Sequence, residues 1–290
     1  MNDYVLLTDS SADLTDALVK ELGVEVLPLS FTMRNKTYRN WPDNREIDPK
    51  DFYRQLREGE MATTSAVNVS DFTETIELHL KEGRDVLVVA FSSGLSATCH
   101  SAQIAAQELS EQYPERKVYV VDSLCASLGQ GLLVWYAARM KNEGRGIGAV
   151  RDWLEENKLH LCHWFTVDDL HFLKRGGRIS SATAVLGTML SIKPIITFSD
   201  DGQLQSIAKV RGRRQVQDKI LELLRARFQS GRRYNLAVAN GGAPEEMAEF
   251  AARLKAEFPN YEHFWEGVMD ATLSVYIGDG VIGGGIQFLD

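Results

Sequence analysis

Residues 85–98 read Asp85-Val86-Leu87-Val88-Val89-Ala90-Phe91-Ser92-Ser93-Gly94-Leu95-Ser96-Ala97-Thr98. An apolar, β-branched run without alternation is what a strand covered on both faces of a parallel sheet needs. A glycine-bearing polar loop follows at once. Residues 96–112 then place Ala97, Ser101, Ile104 and Ala105 at i, i+4, i+7 and i+8, a packable helix face. Strand, polar loop and helix in this order form a βα unit.

The pattern repeats on both sides of this stretch. Tyr4-Val5-Leu6-Leu7 ends in Thr8-Asp9-Ser10-Ser11-Ala12-Asp13, and 24–31 and 118–121 are further strand-like runs. Helices are expected over 13–22 and 70–80. Residues 35–57, with Pro42 and Pro49, read as a long loop with a short helix. Beyond Leu159 the strand-like runs come in closer order, at 161–167, 192–198, 203–210, 235–239, 263–268 and 273–277. Helical segments at 150–156, 182–190, 214–228 and 244–258 punctuate them. Asp200-Asp201-Gly202 signals the turn of an antiparallel hairpin. The expected fold class is α/β: a doubly wound parallel-sheet domain over 1–158, then an α+β domain with a mixed sheet over 159–290.

Composition sets bounds on function. With 44% hydrophobic and 25% charged residues, the 290-residue chain has the make-up of an ordinary globular protein. Its longest apolar runs, 86–91 and 132–138, fall far short of the ~20 residues that a bilayer span needs. Met1-Asn2-Asp3-Tyr4 leads into a strand-like run with no basic region or cleavage site, so no export signal is expected. Cys99, Cys125 and Cys162 are odd in number and widely spaced, which suggests neither disulfides nor zinc and fits a reducing cytoplasm. The net charge of −8 argues against a nucleic-acid protein. From His171 to Arg233, however, 13 Lys and Arg face 4 Asp and Glu, a local +9. Such a segment is either a solvated basic face or a docking patch for an acidic partner.

In open α/β sheets, ligands bind beyond the carboxyl ends of the strands. Those ends here carry hydroxyls: Ser10 and Ser11; Ser92, Ser93, Ser96 and Thr98; Ser123; and, on a separate loop, Thr63, Thr64 and Ser65. Hydroxyls and helix N-terminal N–H groups can hold a carboxylate or phosphate without a lysine. Three readings compete: a lipid carrier, an acyl hydrolase or transferase using Ser93 or Ser96, and a module for a small phosphorylated ligand that engages Arg175 and Arg178. The hydrolase reading is poorly served, because 91–95 lacks the Gly-x-Ser-x-Gly elbow and His100 is the nearest histidine in sequence. No metal ligand set and no P-loop spacing are visible.

In order along the chain, several segments resemble the DegV family of bacterial fatty-acid-binding proteins. They are 8–14, then Ala62-Thr63-Thr64-Ser65, 92–98 and Val121-Asp122-Ser123. The most specific is Val167-Asp168-Asp169-Leu170-His171-Phe172-Leu173-Lys174-Arg175-Gly176-Gly177-Arg178-Ile179-Ser180, and 186–195 followed by Asp201-Gly202 completes the set.

The resemblance implies a cytoplasmic carrier that is not itself an enzyme. It holds one long-chain fatty acid in a tunnel between its domains and presents the carboxylate to the catalytic subunit of fatty acid kinase. No cofactor belongs to the carrier; nucleotide and magnesium belong to the kinase. The family's carboxylate-binding threonine falls on Thr64, beside Ser65. Its serine contact falls within Ser93-Gly94-Leu95-Ser96, on either Ser93 or Ser96. The family's C-terminal His-x-Gly-Pro-Gly reads Tyr276-Ile277-Gly278-Asp279-Gly280 here, so Tyr276 takes the histidine's place. A second departure is Thr64-Ser65-Ala66-Val67, where Gln-Pro commonly follows Thr-Ser. Arg175, Arg178, Arg211, Arg213 and Arg214 are the candidate docking residues for the kinase.

Overall fold

Strand β1 (Tyr4–Asp9) is buried along its whole length, as is β6 (Asp85–Ala90) beside it. Together with β2 (Val24–Leu27) and β7 (Val118–Asp122) they form an all-parallel sheet in the order β2-β1-β6-β7. The order reverses between β1 and β6, which puts a topological switch point at their carboxyl ends. The computed structural model describes residues 4–179, 192–228, 233–278 and 280–289.

Helices cover both sheet faces and start where the sequence supplies caps. Helix α1 (Asp16–Leu22) is capped by the Thr15 hydroxyl, and α3 (Val69–Lys81) by the Asn68 side chain, which accepts from Asp71 N at 2.9 Å. Helices α4 (Thr98–Gln112), α5 (Leu128–Asn142) and α6 (Ile147–Asn157) complete the layers. A small antiparallel sheet of β3 (Ser30–Met33), β4 (Lys36–Arg39) and β5 (Ala62–Ser65) is ordered β4-β3-β5. Arg34 and Asn35 both take positive φ at its hairpin turn, as a two-residue type I′ connection requires. The region expected to be loop therefore contains a strand, β4.

The chain divides into two compact units, Met1–Asp48 with Ala62–Lys158, and Pro49–Met61 with Leu159–Asp290. The reading of 1–158 as one continuous domain is corrected at 49–61. Helix α2 (Pro49–Arg57) buries Phe52, Tyr53 and Leu56, and the Tyr53 hydroxyl donates to Met269 O at 3.0 Å and shares a 2.6 Å hydrogen bond with Ser274. Its phenol finds both partners in the second unit.

That unit holds a six-stranded mixed sheet of β8 (Cys162–Thr166), β9 (Ile192–Phe198), β10 (Leu204–Arg211), β11 (Arg233–Gly241), β12 (Phe264–Val268) and β13 (Val281–Leu289), in the order β10-β9-β8-β13-β11-β12. Only β11 and β12 pair in parallel. The turn at 200–202 closes the β9–β10 hairpin as anticipated. Helices α8 (Arg213–Arg227) and α9 (Pro244–Glu257) cover one sheet face, where Val216, Ile220, Leu224, Phe250 and Leu254 pack on Trp164, Ile195, Leu236, Val238 and Ile282. Two short helices, α7 (Leu170–Arg175) and α10 (Ala271–Ile277), complete the unit.

Residues 273–277 are thus helical rather than a strand. Asp270 caps the helix by accepting from Leu273 N at 2.8 Å, and this local bond outweighs the β-branched composition. The helix expected over 182–190 lies outside the described residues.

Candidate functional site

The hydroxyls at the strand ends of the first unit fall into two groups. The first is consumed in holding the fold. Asp9, fully buried at the end of β1, accepts from Ser11 N (3.1 Å), the Ser11 hydroxyl, Phe91 N (2.7 Å) and Gln130 Nε2 (3.2 Å). Burial raises its carboxyl pKa above the ordinary value, and these four donors act against that shift. Thr8 donates to Val89 O at 2.7 Å, and the Ser10 hydroxyl accepts from Leu29 N at 3.0 Å. Ser123 donates to Cys125 O at 3.2 Å. These side chains tie β1, β6 and α5 together and are shut away from solvent.

The second group faces outward. Ser93 is exposed, and only its backbone N–H is engaged, with Asp122 Oδ1 at 3.2 Å. Its hydroxyl has no partner among the described residues. Ser96 differs: its Oγ accepts from Thr98 N at 3.2 Å and shares a 2.9 Å hydrogen bond with the Thr98 hydroxyl, a local hydroxyl turn just before α4. Gly94, between them, donates its N–H to Ser92 Oγ at 3.2 Å and shapes the tight loop. Thr64 and Ser65 end β5, opposite Phe31 and Ser30 of β3, with Thr64 half-buried and Ser65 exposed. Among the described residues no hydrogen bond joins Ser93 or Ser96 to a histidine, and burial pushes the Cys99 and Cys125 thiols up to about 12. The nucleophile–base geometry of a hydrolase is not assembled among the described residues.

In the second unit, the sheet face turned away from α8 and α9 has an unusual floor. Trp164 points into the helix-packed core, so His163 and Phe165 point to the other face. Directly opposite them across β13 stand Gly285 and Gly283. A Cβ on Gly283 would sit 3.0 Å from the Phe165 Cβ, and one on Gly285 would sit 3.2 Å from the His163 Cβ. Neither glycine has a positive φ, so what they provide is room. Phe198 stands edge-on to His163, with centroids 4.5 Å apart. The result is a strip of bare backbone edged by half-buried rings. Burial pushes the His163 imidazole down to about 4 and keeps it neutral, so this face carries no charge from it near pH 7.

Residues 4–288 match the family model described as an uncharacterised protein of the DegV family. The chain belongs to the DegV family. It is 42% identical over 259 residues to a DegV domain-containing protein of Clostridium perfringens, covering 89% of both chains. Among solved structures it is similar, at 34% identity and a TM-score of 0.90 over 100% of both chains, to one described as fatty acid binding of a DegV family protein from Thermus thermophilus. It is likewise similar to DegV, a fatty acid binding protein from Bacillus subtilis, at 30% identity and a TM-score of 0.87 over 100% of both chains. The α/β architecture with one parallel and one mixed sheet is that of the DegV structures.

The most specific DegV segment, 167–178, runs from β8 through α7. Asp169 caps α7 by accepting from His171 N at 2.8 Å. Tyr276, on α10, packs its ring over Gly176, where any Cβ would collide with it, and the Arg178 guanidinium lies over the same ring. Arg175 stacks on Phe172 at 4.8 Å. The other DegV docking candidates are less alike than their sequence suggests. Arg213 is half-buried and binds Asp168 (2.9 Å), Glu246 (2.7 Å) and Gly280 O (2.5 Å). Arg214 pairs with Glu249 at 2.5 Å. The Arg211 side chain, on the outer face of edge strand β10, has no carboxylate partner among the described residues. Much of the +9 segment is therefore neutralised within its own unit. Sequence reasoning passed over Gly283, Gly285 and Phe165; the run Gly283-Gly284-Gly285 was the available signal.

Proposed function

We propose that this protein binds a long-chain fatty acid. In the first unit Thr64, Ser65 and Ser93 offer neutral donors for a carboxylate, and in the second the glycine-floored sheet face offers a track for an acyl chain. The observation that carries the reading is the Gly283–Gly285 strip beside Phe165 and His163, an apolar track without side chains on a DegV fold. Burial of each CH₂ contributes about 0.8 kcal/mol, so such a track gives tight binding without a charged anchor. Of the two serines, the exposed Ser93 is the contact in this reading; the half-buried Ser96 already shares its hydroxyl with Thr98. Organic extraction and mass spectrometry of the purified protein test the reading. A stoichiometric fatty acid is expected; its absence, with no uptake of added fatty acid, would overturn it.

The purpose of the site is presentation of the carboxylate to a fatty acid kinase. Hydroxyl donors leave the carboxylate oxygen able to attack a phosphoryl group, whereas a buried arginine pair would hold it too tightly. The carrier then needs no cofactor or catalytic group of its own. Arg175, Arg178 and Arg211 are the arginines this reading assigns to an acidic kinase surface, while Arg213 and Arg214 are paired inside their unit. Incubation with a fatty acid kinase catalytic subunit, ATP and magnesium should convert the bound acid to its acyl phosphate. No conversion by any such kinase, with fatty acid still bound, would leave binding standing and remove presentation.

A further inference from the structure

The parallel sheet of the first unit carries a cleft at its other end. At the amino ends of β1, β6 and β7, away from the hydroxyl-rich carboxyl ends, lies a cleft of about 460 Å³. Tyr4, Asp85, Lys117 and Lys141 line it, together with the stretch 144–149. Its volume falls within the ordinary range for small-molecule sites.

The charge in this cleft is uncompensated. Neither the Lys117 nor the Lys141 ammonium has a carboxylate partner among the described residues; Lys141 lies only over the Tyr4 ring, 5.4 Å from its centroid. Lys20, Lys81 and Lys158 of the same unit, in contrast, are all ion-paired. The one lining carboxylate, Asp85, is turned inward. Its side chain is 2% exposed, it accepts from Lys117 N at 3.1 Å, and it faces the Arg116 guanidinium at 3.7 Å. Arg145 adds a third cation, held only loosely by Glu143 at 4.0 Å. The Tyr4 hydroxyl fixes the loop by donating to Arg145 O at 3.2 Å.

The backbone of the cleft is bare. Gly146 precedes α6 without any capping side chain, and Gly148 is the second residue of that helix. Neither glycine has a positive φ, and a Cβ on either would meet nothing within 4 Å. Conformation and packing therefore explain neither of them. What glycine does here is leave the first-turn N–H groups of α6 uncovered by side chains.

We propose that this cleft binds the phosphoryl group of a small molecule, as a phosphate or diphosphate anion. Two unpaired ammonium groups and a row of free N–H donors match a tetrahedral dianion with three acceptor oxygens; a planar monoanion would use only part of them. The remaining volume accommodates an organic portion. The proposal does not rest on the fatty acid reading, since all of its residues lie in the first unit, on other loops.

The test is calorimetric titration of the intact protein with pyrophosphate and with ADP, alongside co-sedimentation with mixed phosphatidylcholine and phosphatidic acid vesicles. Saturable binding is expected, weakened about tenfold or more by Lys117→Ala with Lys141→Ala, since a hydrogen bond to a charged group is typically worth that much. Gly148→Val should weaken binding as well by shielding the N–H groups. In both variants the melting temperature and the extracted lipid should match the wild type, which separates lost binding from lost fold. Binding of pyrophosphate or ADP assigns the phosphoryl group to a soluble ligand. Vesicle binding alone, lost in the double-lysine variant, assigns it to a lipid headgroup. No saturable binding in any arm, or equal binding by the double-lysine variant, would overturn the proposal.

Discussion

The Arg178 guanidinium lies over the Tyr276 ring, 4.4 Å from its centroid, on a ring that Gly176 alone allows to settle there. Gly176, Arg178 and Tyr276 thus form one stacked group. A cation over a tyrosine face contributes roughly 0.5–2 kcal/mol. Gly176→Ala should therefore lower stability by about 1–3 kcal/mol through overpacking, measured by denaturant unfolding. Tyr276→Phe keeps the stack and removes only the hydroxyl. Unchanged fatty acid affinity in Tyr276→Phe would make the residue structural.

The two candidate serines should separate cleanly. Ser93→Ala is expected to cut fatty acid affinity about tenfold with the melting temperature unchanged. Ser96→Ala should cost about 1 kcal/mol of stability through the lost hydrogen bonds to Thr98 and leave affinity near wild type. Thr64→Val should follow Ser93→Ala. The reverse ordering of the two serines in a binding titration would transfer the contact to Ser96.

The Arg211 and Arg213 reversals should fail in different ways. Arg211→Glu is expected to leave fold and lipid content intact and to slow phosphorylation by the kinase, most visibly at low ionic strength. Arg213→Glu would place a carboxylate against Asp168 and Glu246, and it should destabilise the second unit in thermal melts. Equal kinase kinetics for Arg211→Glu and wild type at every salt concentration would leave β10 without a docking role.

Acid should weaken the fold through His163. Its pKa is near 4 in the folded protein and about 6.5 in the unfolded chain. Below pH 6.5 the unfolded chain takes up a proton that the folded one refuses. Stability is therefore lost as pH falls from about 6.5 to about 4, and this contribution is flat below that. The loss is of order 3 kcal/mol at most. His163→Gln should flatten the stability curve over that window; an unchanged slope would assign the acid sensitivity to other groups.

The parallel sheet was legible because 85–90 and 4–7 are apolar without alternation, and the β9–β10 hairpin because Asp201-Gly202 marks its turn. What stayed hidden depended on geometry or distance. The segment 271–277 has strand-like composition, and only the Asp270 cap makes it a helix. The stretch 132–138 reads as a bare apolar run because it is the middle of α5, whose residues are buried nearly all round. Strand β13 is masked by three successive glycines, which disfavour a strand until Phe165, His163 and Phe250 are seen to need their space. Ser93 and Ser96 are equivalent as letters; only the hydrogen bond from Thr98 N tells them apart.

The excursion of Pro49–Met61 into the second unit has a consequence in time. Tyr53 must find Met269, 216 residues later in the chain. At ordinary synthesis rates of roughly 5–20 residues per second, the ribosome needs about ten to forty seconds to supply that partner. Throughout that interval the Tyr53 phenol of α2 lacks its two partners, although β5 and α3 beyond it can already fold. The nascent chain thus carries an undocked helix looped out from a maturing sheet, and this is where a chaperone has most to protect.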